Sequence, residues 1–212
     1  MKILVTGFEP FNGGKVNPSE QIVYRLEAPE GVTLIKEVLP VEFKKTTARL
    51  QELFQEHHPD VVLSIGQAGG RAEISVEQRA VNLDNVGRPD GTIRLADNGG
   101  YMPVDEKIAE DGAEEYPATL PLEQLVEAIR RQGIPAGLSP SAGTFVCNHV
   151  MYVNLYEGAK HYPGMKAGFI HVPFLPEQIA DRPDKDRVCA MPLQDMVAGL
   201  QAVLEVLADK ES

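Results

Sequence analysis

Cys147 is the residue whose type and position most directly indicate covalent chemistry. It lies in the segment Ser141-Ala-Gly-Thr-Phe-Val-Cys-Asn-His, where a glycine-containing turn leads directly into a predicted helix. Exposed backbone N–H groups and the positive end of the helix dipole favour a thiolate there and predict a lowered thiol pKa. The same N–H groups could bind the oxyanion of a carbonyl under attack. A free cysteine is more commonly a small buried apolar side chain, so placement alone leaves both interpretations open.

His171 is the best placed of the five histidines to serve as the base that a thiol nucleophile requires. It ends the predicted strand Gly168-Phe-Ile-His, and functional groups of α/β folds collect beyond the carboxyl ends of strands. A hydrogen-bonded core histidine explains the same position equally well. His149 follows Cys147 by two residues, which is about 200° around a helix. We therefore predict that His149 is a local structural group.

A carboxylate that orients the imidazole would complete a catalytic triad. Glu77 lies in an extended, half-apolar stretch, whereas Asp84 and Asp90 lie in the loop that follows. Spacing alone does not choose among these three carboxylates.

The glycine-rich segments do not match phosphate-binding motifs. Residues 7–16 lack the spacing of a Walker loop, and no Ser or Thr follows Lys15. Residues 66–70 lack the G-x-G-x-x-G spacing of dinucleotide-binding loops. The chain also has neither H-E-x-x-H nor C-x-x-C, and its histidines are scattered. We expect no metal and no cofactor.

Composition and cysteine content limit which binding partners and which cellular compartment we expect. The 212 residues carry a net charge of −11 with a pI near 4.9, which opposes binding to the phosphates of nucleic acids. No apolar run approaches the roughly 18 residues of a membrane span. Only Cys147 and Cys189 are present and no export signal is seen, which indicates the reducing cytoplasm. Cys189 is predicted to pack near the start of the last helix.

Apolar runs and amphipathic segments alternate along the chain. Predicted strands cover residues 2–6, 32–38, 60–65, 134–138 and 167–172, and residues 73–82 form one or two further extended pieces. Predicted helices cover residues 18–26, 42–57, 122–129, 146–156 and 193–207, the first with Asn17 as its N-cap. Residues 84–102 are predicted to form a long surface loop. The alternation predicts an α/β fold, a three-layer α/β/α sandwich with a twisted, mostly parallel (mixed) central sheet, and a single domain over residues 1–212.

The chain resembles the pyroglutamyl peptidase I (pyrrolidone-carboxylate peptidase) family of cysteine peptidases over almost its whole length. The resemblance is carried by five motifs, which are Thr6-Gly-Phe-Glu-Pro-Phe, Asn17-Pro-Ser, Gly66-Gln-Ala-Gly-Gly-Arg, Ser141-Ala-Gly-Thr-Phe-Val-Cys-Asn-His and Phe169-Ile-His-Val-Pro-Phe-Leu-Pro-Glu-Gln. Together these motifs are specific, although one alone would not be.

The resemblance implies a Cys–His–Glu triad on Cys147, His171 and Glu77, and so selects the carboxylate that spacing leaves open. It also implies hydrolysis of the amide bond after an N-terminal 5-oxoproline, with no cofactor, in a cytoplasmic homotetramer. A neutral lactam suits an apolar slot with a few amide-directed hydrogen bonds. The positions that match the slot and its surroundings in the family are Phe8, Phe11, Gln67, Phe145 and Val146.

One loop departs from the family pattern. Relatives read Arg-Ile-Pro-Asp where this chain has Gly87-Arg88-Pro89-Asp90. Either a shifted loop lets Arg88 take the place of the family's guanidinium, or the rim of the pocket is chemically different. We place Arg88 among the expected substrate-binding residues.

Two other functions compete with the peptidase. A purine-nucleoside phosphorylase relative would share the architecture, but it would need a phosphate site, and the chain shows no basic anion cradle. A non-catalytic protein could instead bind pyroglutamyl peptides without cleaving them. Assays on pyroglutamyl, prolyl and alanyl amides, and on inosine with phosphate, distinguish all three.

Overall fold

The computed structural model describes residues 1–88 and 95–209 of the chain. Its strands are β1 (Lys2–Phe8), β2 (Thr33–Leu39), β3 (Val61–Gln67), β4 (Ile74–Glu77), β5 (Arg79–Val81), β6 (Glu115–Pro117), β7 (Ala136–Ser139) and β8 (Lys166–Val172). Its α-helices are α1 (Pro18–Arg25), α2 (Phe43–His57), α3 (Leu122–Arg131), α4 (Val146–Lys160), α5 (Pro176–Ile179) and α6 (Leu193–Ala208).

Six of the strands form the central sheet, in the order β2-β1-β3-β8-β4-β7. Strands β1, β2, β3 and β8 run parallel to one another, whereas β4 is antiparallel to β8 and parallel to β7. Strands β5 and β6 pair separately in a two-stranded antiparallel sheet. The predicted α/β fold with a mostly parallel, mixed sheet is therefore confirmed.

Helices cover both faces of the sheet because successive strand residues point to opposite sides. Ile3 and Val5 of β1 belong to one buried cluster, which they share with α1, α3 and α6. Leu4 belongs to a second cluster, on the face covered by α2 and α4. This alternation produces the three layers expected from the sequence.

The predicted elements match the observed ones within a few residues at each end. Asn17 caps α1 as predicted, because its side-chain oxygen accepts a hydrogen bond of 3.0 Å from the N–H of Ser19. The stretch 73–82 forms two strands, β4 and β5. Short strand β6 carries no sequence pattern that distinguishes it from loop. The predicted loop 84–102 is described only over 84–88 and 95–102, and Pro89 and Asp90 lie outside the described residues.

The antiparallel pairing of β4 with β8 positions two of the predicted site residues. Ser75 lies opposite His171 in this antiparallel pair, so Glu77, two residues further along β4, lies diagonally from His171 on the same face. Phe169 also shares this face and packs in the cluster under α2 and α4. The side chains of Glu77 and His171 therefore point toward the layer that contains α4.

Candidate active site

Cys147 is the second residue of α4, at the N-terminal end of the helix. The preceding turn contains Gly143 in a left-handed conformation with φ of 85°. Phe145 occupies the N-cap position and provides no side-chain hydrogen bond to the helix. The first helical bond of α4 runs from the N–H of His149 to the carbonyl of Phe145, at 3.1 Å. The N–H groups of Val146 and Cys147 thus have no acceptor within the helix.

Gly66 makes room for Cys147 beside His171. In the β3–β8 ladder Gly66 is the register partner of His171. A Cβ atom at position 66 would lie 3.0 Å from the Cys147 sulfur and 2.7 Å from the ring of Phe169. Because a real side chain does not tolerate such contacts, glycine allows the thiol to approach the strand that carries the imidazole.

His171 is held by a buried carboxylate. Its Nδ1 atom lies 2.7 Å from Oε1 of Glu77, which is fully buried, and His171 itself is 4% exposed. An ionised carboxylate only accepts hydrogen bonds, so Nδ1–H donates to Glu77 and Nε2 retains its lone pair. This is the tautomer that a proton acceptor requires.

Cys147 and His171 line one cavity of about 480 Å³. Of the predicted substrate-binding residues, Phe8, Phe11, Gln67, Phe145 and Val146 line the same cavity. Two aromatic contacts support the cavity wall, since the Phe11 and Phe145 ring centroids lie 6.5 Å apart and Phe43 meets Phe145 edge-on at 5.5 Å. The cavity thus combines a thiol and an imidazole with a wall that includes three phenylalanine rings.

The thiol is less acidic than its position on the helix predicts. Burial raises the pKa of Cys147 to about 12, and the negative charge of Glu77 raises it as well. The charge of Arg71 and the backbone N–H of Cys147 lower this pKa but do not offset burial. In the resting site, burial beside the Glu77 carboxylate therefore opposes the lowering that the helix N-terminus favours.

The pKa values of the His171 imidazole and the Glu77 carboxylate are both lowered, for different reasons. Burial lowers the pKa of His171 more than the hydrogen bond and charge of Glu77 raise it. Burial favours a raised pKa for Glu77, but the hydrogen bond from His171 and the positive charge of Arg71 hold it below its usual value. The resting site therefore contains a neutral thiol, a neutral imidazole and an ionised carboxylate.

Comparisons with known proteins identify the family of the chain. The sequence model of a family described as pyroglutamyl peptidase matches residues 1–210. The chain belongs to this pyroglutamyl peptidase family. A pyrrolidone-carboxylate peptidase of Finegoldia magna is 44% identical over 212 residues, which cover 100% of this chain and 95% of the relative. One of Staphylococcus aureus is also 44% identical over the same coverage of both chains.

Solved structures show the same fold. Pyroglutamyl peptidase I from Bacillus amyloliquefaciens aligns with a TM-score of 0.90 at 38% identity, covering 100% of this chain and 96% of that one. Pyrrolidone carboxyl peptidase from Thermococcus litoralis aligns with a TM-score of 0.89 at 37% identity, covering 97% and 92%. Family membership therefore rests on sequence and on tertiary structure together.

Two predicted residues of this family member lie outside the cavity. Glu77 does not line it and contacts His171 from behind. Arg88 is exposed and is not among the described residues that line the cavity. It borders residues 89–94, which lie outside the described residues, so its assignment to substrate binding stays a prediction.

Several cavity residues were not predicted as site residues. They are Asn17, Val41, Ala68, Gly69, Arg71, Ser141, Ala142, Gly143 and Thr144. Most of them lie within the motifs shared with the family, and those motifs could have identified them as site residues from the sequence. Arg71 is the notable one, because its Nη1 atom lies 2.7 Å from Oε1 of Glu77. A single arginine after a glycine-rich loop does not indicate a partner at the sequence level.

The amide of Gln67 is oriented by a chain of hydrogen bonds. The N–H of Leu175 donates to Oε1 of Gln178 at 2.8 Å, which fixes the Gln178 amide. Nε2 of Gln178 then donates to Oε1 of Gln67 at 2.8 Å and to the carbonyl of Val16 at 3.2 Å. The NH₂ group of Gln67 therefore remains as a donor on the cavity side.

Asp84 forms a second buried pair, with His149 rather than His171. Its Oδ2 atom lies 2.7 Å from Nδ1 of His149, whose Nε2 atom lies 2.6 Å from the hydroxyl of Thr47. Burial raises the pKa of Asp84, while the hydrogen bond and charge of His149 lower it. This pair connects the loop after β5 to α4 and α2, as expected for a structural histidine.

Neither a metal centre nor a membrane helix is seen in the parts of the chain that the structure describes. No three His, Cys, Asp or Glu side chains converge there as metal ligands would. Within 1–88 and 95–209, none of the helices combines the length and apolarity needed to cross a bilayer.

Replacing His149 with alanine should destabilise the protein by about 3 kcal/mol, because Asp84 would stay buried without its partner. Urea unfolding followed by circular dichroism measures this free energy. His161→Ala is the matched control at the exposed end of the same helix and should change stability by less than about 0.5 kcal/mol. Equal, small losses in both variants would contradict a structural role for His149.

Proposed function

We propose that this chain hydrolyses the amide bond after an N-terminal pyroglutamyl residue and releases pyroglutamate from peptides. One observation carries the proposal, namely that Cys147 and His171, with Glu77 behind the imidazole, line a cavity with an aromatic wall. The names of the relatives support the substrate class. We assign the catalytic roles to Cys147, His171 and Glu77.

Acylation follows from the positions of these groups. Nε2 of His171 accepts the proton of the Cys147 thiol while the sulfur bonds to the pyroglutamyl carbonyl carbon. The carbonyl oxygen becomes an oxyanion, which the free N–H groups of Val146 and Cys147 stabilise. The C–N bond then breaks, and the proton on Nε2 goes to the leaving amine.

Deacylation reverses the proton path. Water attacks the thioester, and Nε2 of His171 accepts one of its protons. The carbon–sulfur bond breaks, pyroglutamate leaves as a carboxylic acid, and the proton on Nε2 returns to the sulfur. Glu77 holds the imidazole and stabilises its charged form during both half-reactions.

The cavity wall suits a neutral lactam. Phe8, Phe11, Phe145 and Val146 offer apolar surface to the ring. Among residues 1–88 and 95–209, no acidic side chain lines the cavity to bind a free α-amine. The NH₂ group of Gln67 is available to donate to the lactam carbonyl. A prolyl ring has no such carbonyl and carries a charged amine, so it would leave the amide unpaired and place a charge among aromatic rings.

We extend the proposal to the organisation of the protein. Residues 1–212 act as one peptidase domain, which the family match over residues 1–210 supports. A homotetramer is proposed from the resemblance to the family, and light scattering of the purified chain tests it. A reducing compartment such as the cytoplasm is proposed because both cysteines are free and the mechanism needs the thiol of Cys147.

Cys147→Ala should reduce hydrolysis of a pyroglutamyl-aminocoumarin substrate by more than about 1000-fold, because no other group can form the thioester. Cys189→Ser is the matched control and should retain activity, since Cys189 is exposed and does not line the cavity. Fluorescence release measures both. Prolyl and alanyl amides, and inosine with phosphate, should not react. Near-normal turnover by the alanine variant would remove Cys147 from the nucleophile role.

Alkylation of Cys147 by iodoacetamide should accelerate about tenfold per pH unit between pH 6 and 9, because the thiolate fraction rises this way below the raised pKa. Mass spectrometry of the Cys189→Ser variant at timed intervals gives the rate at this single thiol. A plateau below pH 8 would show instead that the free enzyme already holds a thiolate–imidazolium pair.

A further inference from the structure

Arg71 connects the wall of the cavity to the buried carboxylate. It follows Gly70, which adopts a left-handed conformation with φ of 91°, in the loop between β3 and β4. Its side chain is 31% exposed and lines the cavity, while its Nη1 atom lies 2.7 Å from Oε1 of the fully buried Glu77. The guanidinium therefore reaches inward from the cavity surface to a charge that water does not solvate.

Glu77 needs a counterion before any catalytic step begins. The same Oε1 atom accepts from Nη1 of Arg71 and from Nδ1 of His171, both at 2.7 Å. The His171 imidazole is neutral at rest, so it supplies a hydrogen bond but no full charge. A buried carboxylate without a neighbouring positive charge takes up a proton instead.

The protonation state of Glu77 decides which nitrogen of His171 can act as a base. An ionised Glu77 accepts from Nδ1–H and leaves the lone pair on Nε2. A protonated Glu77 would donate to Nδ1, so the ring proton would move to Nε2. That imidazole could not accept the proton of Cys147, and the wrong tautomer is a severe defect in catalytic triads.

We propose that Arg71 is a positioning residue that keeps Glu77 ionised in the resting enzyme and thereby holds His171 in the tautomer with a free lone pair on Nε2. The inference rests on the proposed catalytic roles of Cys147, His171 and Glu77. Among the described residues, the charged and titratable groups that face Glu77 are Arg71 from the β3–β4 loop, His171 from β8 and Cys147 from α4. Ser139 of β7 adds only a neutral hydroxyl.

Arg71→Met tests the proposal, because it removes the charge and keeps an unbranched side chain. The apparent pKa of the acid limb in the pH profile of kcat/KM should rise by at least about one unit. At pH values below the apparent pKa values of both proteins, this shift lowers kcat/KM about tenfold. The loss should lie in kcat rather than KM and should shrink above pH 8, where Glu77 ionises without help. Arg71→Lys keeps the positive charge, so the apparent pKa of its acid limb should equal that of the wild type.

A spectroscopic measurement makes the test independent of activity. NMR of 15N-labelled histidine should show Nε2 of His171 unprotonated in the wild type at pH 7 and protonated in Arg71→Met. Arg131→Met is the matched control, since Arg131 forms an exposed ion pair with Glu127 on α3, and it should change neither measurement.

An unchanged acid limb and an unchanged tautomer in Arg71→Met would overturn the proposal. If KM alone rises in that variant, Arg71 contacts the substrate instead. Failure of the proposed function is a separate result, because the wild type would then not cleave pyroglutamyl amides or Cys147→Ala would retain activity.

Discussion

The hydrogen bond between Glu77 and His171 is the interaction on which the rest of the site depends. It joins two residues separated by 94 positions in the chain, and both are almost completely buried. A carboxylate in this position needs donors on its oxygen atoms, and an imidazole in this position needs one fixed tautomer. The reversal of strand direction between β4 and β8 brings Glu77 and His171 diagonally together on one face, so that Oε1 of Glu77 contacts the imidazole. Oε2 of Glu77 is buried without a hydrogen-bond partner among the described residues.

Burial has opposing effects on the proposed chemistry. It keeps water away from the aromatic wall, and it strengthens each electrostatic interaction around the thiol. It also makes the thiolate and the imidazolium unfavourable in the resting enzyme, as the shifted pKa values of Cys147 and His171 indicate. The helix N-terminus then acts mainly on the oxyanion, whose negative charge forms next to free N–H groups only during the reaction.

The two buried carboxylate–histidine pairs show how the same interaction serves different purposes. Asp84 and His149 lie between the loop after β5 and α4, and the second nitrogen of His149 contacts the hydroxyl of Thr47. Glu77 and His171 form a pair of the same length, but the second nitrogen of His171 is left for the cavity side. What surrounds each ring, rather than the pair itself, separates a structural contact from a candidate catalytic one.

Much of the fold could be predicted from local patterns. Strand β3 is a continuous apolar run, and α6 repeats apolar residues at helical spacing, so both were recognised close to their observed bounds. Strand β6 has three residues, and it exists because it pairs with β5. Arg88 is expected in the pocket on the basis of a loop that departs from the family pattern, and this stays a prediction because residues 89–94 lie outside the described residues. Local patterns miss an element such as β6 because long-range pairing creates it.

Local patterns in the chain were enough to predict that a cysteine lies in the first turn of a helix, that a histidine lies near the end of a strand, and that strands and helices alternate. These features depend on neighbouring residues, whose spacing and turn preferences are local properties. Only the tertiary structure decided which carboxylate meets which histidine, and that Arg71 joins Glu77. The partners lie far apart in the chain, and their contact follows from the order and direction of the strands that carry them.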